Sequence, residues 1–410
     1  MWPIPEANFV VYKKREPPTG PTITSAMSRP FPTRKLGENG PLVSAIGLGA
    51  GGISGAFYGK ADRTETHKML TYAADRGVTF WDTADYYHSC NILVVIKLNE
   101  TNLSSPAEEI IGNWFAATGR RSEIFLATKF GAADLREGPN KGKICSEPSY
   151  IKQAFQRSLK MLRTDYVDLY YQHRVDPTVP IEVVFEALRE FVESGQIKYL
   201  GLSEASVATL RRAKAVPGLG EKLVAAQMEY SPFELMIETS GFLDVANELG
   251  VAIVAYSPLG RGLITGRYRS PEDFEEGDVR RLLPRFSSEN FPKNLVLVEH
   301  FEALGQKYKA SPSQIALAWI LAQHPHCKSS VKTFMEGEIA DTKTVVPIPG
   351  TRVVDRLEEN AHSAEINLSP EDVATIRRKV EEAEVHGARH MIIAQGDCIE
   401  LVDWKDSGKQ

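Results

Sequence analysis

Short continuous apolar runs alternate with longer stretches of helical period along most of this chain. The runs lie at 46–49, 78–82, 124–130, 167–173, 199–203, 224–229, 251–256 and 344–348. The stretches that follow them read as helices at 64–77, 106–118, 149–162, 181–194, 207–214, 238–249, 293–308 and 311–323, with two more at 353–365 and 369–384. Gly77, Gly119, Gly195 and Gly250 fall just past helix ends, where a left-handed cap is wanted. The runs are apolar throughout, as in Val251-Ala252-Ile253-Val254-Ala255. That suits parallel strands buried on both faces. Repeated strand–helix units of this number predict an α/β fold, a (β/α)8 (TIM) barrel with extra C-terminal helices. Two short apolar segments around Gly37–Gly40 predict a β-hairpin ahead of it.

Gly47-Leu48-Gly49-Ala50-Gly51-Gly52 matches the glycine fingerprint of a doubly wound dinucleotide fold. That fingerprint must open a helix at once, and here a loop follows, so a barrel strand is the better reading.

Four stretches depart from the alternation. Residues 1–32 are rich in proline and without period, and are expected to be a poorly ordered extension. Residues 90–105 interrupt the connection after the second barrel strand, where about 2–6 residues are usual. Residues 327–343 interrupt the approach to the last strand. Both read as insertions into a barrel spanning 33–387, either translated intron sequence or genuine additions. Residues 388–410 form a tail.

Composition changes this picture little. The chain has 410 residues, 42% hydrophobic and 25% charged, enough for a large core, and its net charge of −5 recruits neither nucleic acid nor an anionic membrane. The four cysteines, at 90, 145, 327 and 398, have no ligand spacing, so neither a disulfide framework nor a metal site is expected. No run reaches the ~18 apolar residues of a membrane span, and the N-terminus lacks the blocks of a signal peptide. A cytoplasmic location is expected.

In such a barrel, chemistry gathers at the C-terminal ends of the strands. Those ends carry Asp82, Lys129 and His173, with Tyr87 one short loop beyond Asp82. The set suits proton donation. A phenol needs a neighbouring ammonium to lower its pKa, and the ammonium needs a carboxylate to stay charged. His173 could then orient a carbonyl oxygen. Taken singly, each residue has a bland structural reading; their order at successive strand ends favours the joint one. The charged stretch 267–290 reads either as a solvated excursion or as a lid on this face.

These motifs resemble the aldo-keto reductases. Phe80-Trp81-Asp82-Thr83-Ala84-Asp85-Tyr86-Tyr87, Ala127-Thr128-Lys129, Gln172-His173-Arg174 and Tyr256-Ser257-Pro258-Leu259-Gly260-Arg261-Gly262 are similar to that family's ordered signatures. The whole is closest to its fungal and bacterial pyridoxal-reductase and aryl-alcohol-dehydrogenase-like members. The resemblance implies NADPH-dependent reduction of a small aldehyde or ketone, aromatic or pyridoxal-like. Asp82, Tyr87, Lys129 and His173 would be catalytic, with Tyr87 the proton donor and Asp82 also counted with the cofactor set. It implies further that Ser203 and Gln227 hold the nicotinamide amide and that Tyr256 stacks on its ring. Ser257, Leu259, Gly260, Gly262 and Leu263 would cradle the pyrophosphate. Gly350, Thr351, Arg352, Arg356, Glu359 and Asn360 would hold the adenosine and its 2'-phosphate. Gly350 stands where many relatives carry lysine, which leaves Arg352 and Arg356 as the cations there. Two alternatives stay open at this point. One is a cofactor-sensing subunit with negligible turnover. The other is a chain inactivated by the insertion beyond Tyr87, which could displace that phenol.

Overall fold

A computed structural model describes residues 30–55, 57–59, 61–87, 106–323 and 344–389. Most of the expected N-terminal extension, both interruptions and nearly all of the tail lie outside the described residues. The hairpin is present as β1 (Thr33–Lys35) and β2 (Leu42–Ser44), paired antiparallel. Eight strands follow: β3 (Leu48–Gly49), β4 (Phe80–Asp82), β5 (Phe125–Phe130), β6 (Val167–Gln172), β7 (Ile197–Ser203), β8 (Leu223–Glu229), β9 (Ala252–Tyr256) and β10 (Val345–Pro347). Each pairs in parallel with its neighbour in sequence. The seam between β10 and β3 is closed by Gly47 N donating to Pro347 O at 2.9 Å and Gly49 N to Pro349 O at 3.2 Å. The expected (β/α)8 barrel is therefore the fold.

Its outer layer is α1 (Arg63–Arg76), α2 (Ala107–Thr118), α3 (Pro148–Leu162), α4 (Ile181–Glu193), α5 (Val207–Lys214), α6 (Met236–Thr239), α7 (Phe242–Glu248), α8 (Phe291–Tyr308), α9 (Pro312–Gln323), α10 (Val354–His362) and α11 (Pro370–Glu382). The four cap glycines have φ of 88°, 69°, 78° and 67°, as expected. One expected helix, 238–249, is instead two, because Gly241 takes φ 73° and parts α6 from α7. The fingerprint-like glycines form only a 3-10 turn at Ala50–Gly52, and α1 does not begin until Arg63. Among the described residues no helix is long and apolar enough to cross a membrane.

The barrel interior follows the period of two in each strand. Phe80, Ala127, Leu169 and Tyr171, Val224, Ala252 and Val254, and Val346 pack inward as one apolar cluster, with Leu36 and Val43 of the hairpin beneath them. The hairpin plugs the N-terminal end, where Glu38 N donates to Gly250 O at 2.8 Å. Two positions above this layer, the same inward register delivers Asp82, Lys129, His173 and Tyr256 to the opposite end. Trp81 and Tyr170, one residue off, face the helices instead and join the outer core.

Both interruptions leave and re-enter the barrel at anchored points. Ala107 N donates to Tyr87 O at 3.0 Å, so the residues flanking the first are already in contact. At the second, the buried Arg34 guanidinium donates to Leu321 O at 2.6 Å and to Val345 O at 2.5 Å, joining the end of α9 to the start of β10. Deleting residues 90–105, with His88-Ser89 kept as the connection, should therefore give a folded barrel. Its melting temperature should fall within about 4 °C of the full chain, since ~1 kcal/mol is worth about 2–4 °C in a domain of roughly 150–250 residues and less in a longer one. Thermal unfolding followed by circular dichroism measures this, and a loss of roughly 10 °C or more would show that the segment is needed for stability.

Candidate active site

The inward ends of β4, β5 and β6 bring three charged or titratable groups together in the barrel mouth. Lys129 is wholly buried. Its Nζ donates to Asp82 Oδ1 at 2.5 Å, to Thr83 O at 2.8 Å and to Tyr87 OH at 3.3 Å. Gln227 Nε2 donates to the other carboxylate oxygen, Asp82 Oδ2, at 2.8 Å. The His173 ring stands edge-on to Tyr87, 5.7 Å between centroids. All four expected residues thus meet, with the Tyr87 hydroxyl within hydrogen-bond reach of Lys129.

The electrostatics correct one expectation. Burial pushes the Tyr87 phenol up, and although Lys129 pulls it back, the net shift is above its ordinary value rather than below. In this state the phenol keeps its proton. Burial disfavours the Lys129 ammonium, but Asp82 and Tyr87 outweigh that and hold its pKa above the usual lysine value. Burial, then Lys129 and Arg174, push His173 well below the normal histidine range, so its imidazole is neutral.

A cavity of about 750 Å³ extends from this cluster along the C-terminal face. Near its inner end lie Ser203, Gln227 and Tyr256. Gln227 does more than the expectation gave it, because its amide nitrogen is committed to Asp82. Beyond β9 the backbone turns through Ser257 (φ 48°), Gly260 (φ 57°), Arg261 (φ 55°) and Gly262 (φ 91°). Within this turn Gly260 N donates to Ser257 O at 2.8 Å and Gly262 N to Leu259 O at 3.0 Å, which holds the loop in shape beside the cavity. Leu259 and Gly262 line the cavity there. Gly260 and Leu263 are buried behind its wall and shape the loop from below.

At the far end lie Gly350, Thr351, Arg352, Arg356, Glu359 and Asn360, as expected. Arg267 joins them and was missed, being hidden in the charged loop; its guanidinium pairs with Glu359. Burial, then the Arg267 and Arg352 cations, push Arg356 below its ordinary value. Three guanidinia at one end of the groove, one of them paired with Glu359, make a site that suits a phosphate. The loop carrying Arg267 is not a solvated excursion. It spans the cavity: Val279 N donates to Phe57 O at 3.1 Å, and Arg280 stacks on Tyr58, Tyr268 and Phe274.

Taken together, a buried phenol–ammonium–carboxylate cluster, a tight backbone turn and an arginine cluster along one groove fit a dinucleotide with an extra phosphate. His173 Nδ1, buried and without a partner among the described residues, leaves polar capacity at the reacting end. No group of three or more His, Cys, Asp or Glu side chains among the described residues is placed to hold a metal.

A closed parallel barrel whose polar groups converge at the C-terminal mouth defines a (β/α)8-barrel enzyme. The chain belongs to the aldo/keto reductase family, whose model matches residues 45–381. It is 44% identical over 368 residues to the aldo-keto reductase str7 of Strobilurus tenacellus, covering 88% of this chain and 95% of that one. It is 43% identical over 364 residues to the aldo-keto reductase yakc [NADP(+)] of Schizosaccharomyces pombe, covering 88% and 94%. Among solved structures it is similar to the thermostable aldo-keto reductase Tm1743, crystallised with the inhibitor epalrestat. That match has a TM-score of 0.60 at 27% identity, covering 85% of this chain and 99% of the other.

The ion pair at the centre sets the stability of the site. Lys129→Met should lower unfolding free energy by about 3–5 kcal/mol, because it strands a buried carboxylate. Adding Asp82→Asn should recover part of that loss. Denaturant titration of both variants measures it; a double variant no more stable than Lys129→Met would show that the pair is not the source.

Proposed function

We propose that this protein reduces an aldehyde or ketone to the alcohol using NADPH, with Tyr87 as the proton donor. The observation that carries this reading is the Tyr87 hydroxyl 3.3 Å from a Lys129 ammonium that Asp82 holds charged. When bound, the nicotinamide of NADPH supplies the hydride to the carbonyl carbon. Tyr87 gives its phenolic proton to the carbonyl oxygen. As the phenolate forms, the Lys129 ammonium stabilises it, and the Asp82 carboxylate keeps that ammonium in place. The neutral His173 donates a hydrogen bond that orients the oxygen. Arg267, Arg352 and Arg356 favour a 2'-phosphate, which agrees with the NADP(+) in the name of the fission-yeast relative.

Ser203 and Gln227 would hold the carboxamide, with Asp82 beneath, and Tyr256 would stack on the ring. The turn from Ser257 through Leu263 would cradle the pyrophosphate, and Gly350 to Asn360 the adenosine phosphate. The span 267–290 acts as a lid over the bound cofactor, and the functional unit is the barrel at 33–387. The outer mouth, lined by Phe57, Tyr58, Tyr86 and Arg174, suits a flat aromatic carbonyl.

Tyr87→Phe should abolish carbonyl reduction, a loss of about 10²–10⁴-fold for a general acid, while the dissociation constant for NADPH stays nearly unchanged. Steady-state turnover on an aromatic aldehyde panel, beside fluorescence titration with NADPH, measures both. Undiminished turnover would sink the assignment. The pH profile follows from the shifts. Tyr87 donates only below its pKa, which is raised, so the fall in reduction rate should come above pH ~10. His173 is depressed, so no limb should appear near pH ~6.5. A rate that halves between pH ~7 and ~8 would contradict the geometry.

A further inference from the structure

Arg389 lies beyond α11, in the stretch that precedes the tail. This stretch is stitched to the start of α8. His386 N donates to Asn294 Oδ1 at 2.9 Å, and Asn294 Nδ2 donates back to His386 O at 2.9 Å. Gly387 O accepts from Arg285 Nε at 3.4 Å. From there the Arg389 side chain reaches under the rim of the barrel. Its Nη2 donates to Glu204 Oε2 at 2.9 Å and its Nη1 to Glu204 Oε1 at 3.3 Å. Nη1 also meets Glu229 Oε2 at 3.2 Å and the Tyr256 hydroxyl oxygen at 3.5 Å. These partners end three successive strands, β7, β8 and β9.

Glu204 is the hub of this cluster. It is wholly buried and takes φ 52°, a strained conformation for a non-glycine residue. Its Oε1 accepts from Tyr256 OH at 2.8 Å and from Glu229 N at 3.2 Å. Two buried carboxylates this close need a cation between them, and a planar guanidinium fork is the group that serves both. Glu234, 4.0 Å from Arg389 Nε, and the neighbouring Arg285 and Arg261 complete the charges around it.

We propose that Arg389 is a positioning residue for the nicotinamide end of the groove, fixing the Tyr256 ring through Glu204. This rests on the cofactor reading above, in which Tyr256 is the platform for the nicotinamide. Arg389 does not touch the reacting atoms. It holds the hydroxyl end of Tyr256 while the ring lines the cavity. Arg352, Arg356 and Asn360 belong to the other end of the groove. The stretch after α11 is thereby tied to cofactor geometry as well as to the outside of the barrel.

The test separates the two ends of the cofactor. Wild type, Arg389→Met, Arg389→Lys and Arg389→Met/Glu204→Gln are titrated by protein fluorescence with NADPH and with adenosine 2',5'-bisphosphate, which lacks the nicotinamide. Melting temperatures are recorded alongside. Arg389→Met should weaken NADPH by about tenfold or more, with the bisphosphate unchanged within about twofold. Arg389→Lys should fall between, since lysine restores charge without the fork. Glu204→Gln in the Met background should recover NADPH affinity by removing one stranded carboxylate. If Arg389→Met does not fold, the lysine variant carries the comparison. Parallel weakening of both ligands, or no change in either, overturns the proposal. Wild type that binds neither nucleotide would instead sink the cofactor reading on which the proposal rests.

Discussion

A charged lysine at the centre of a barrel is the constraint on which the rest of this structure depends. Taking an ammonium and a carboxylate out of water costs several kcal/mol per ion, and the Coulomb gain repays it only with good geometry and further hydrogen bonds. Here Lys129 and Asp82 meet that condition. Asp82 has a second donor in Gln227, and Lys129 has Thr83 O and the Tyr87 hydroxyl. Three strands, β4, β5 and β8, contribute to one network, together with the loop that follows β4. Burial, reinforced by the same cation, keeps His173 neutral, and that cation also meets the Tyr87 hydroxyl. The contacts that compensate the buried charge are thus the same ones on which the proposed proton donation rests.

The groove leading away from this cluster carries its own expense. Ser257 and Arg261 both take left-handed backbone, as Glu204 does, at roughly 1–3 kcal/mol each for such conformations. The first two sit where the chain leaves β9 and turns along the cavity wall. The crowding of Arg267, Arg352 and Arg356 is a second unfavourable term in the free protein. An anion in the groove would relieve that repulsion, so the apoprotein stores part of the affinity as charge.

Much of this was legible in the sequence. Inward placement of Asp82, Lys129 and His173 follows from counting by two along β4, β5 and β6 from an apolar layer, a local property. The barrel itself follows from eight repeats of one pattern. What was not legible depends on distant segments meeting. Gln227 clamps Asp82 across 145 positions. Arg267 reaches Glu359 from a loop whose composition alone reads as solvated. Arg389 finds three strand ends that nothing in its neighbourhood announces. The sign of the Tyr87 shift also escaped, because it is a contest between burial and a neighbouring charge, and only the depth of the hydroxyl decides it. The split of α6 from α7 lay in plain view at Gly241, but a glycine within a helical pattern admits either outcome.

The hydrogen bond from Ala107 N to Tyr87 O acts as a neck, gripping the chain where it leaves the mouth and where it returns. Because closing a longer loop costs only about 0.6 kcal/mol per doubling of its length, what hangs from that neck is nearly free to vary. The connection after Tyr87 can therefore lengthen at little cost in stability. For the protein engineer the same position is a socket: a sensor peptide or recognition loop mounted there would sit next to Tyr87, within reach of whatever carbonyl compound the mouth admits.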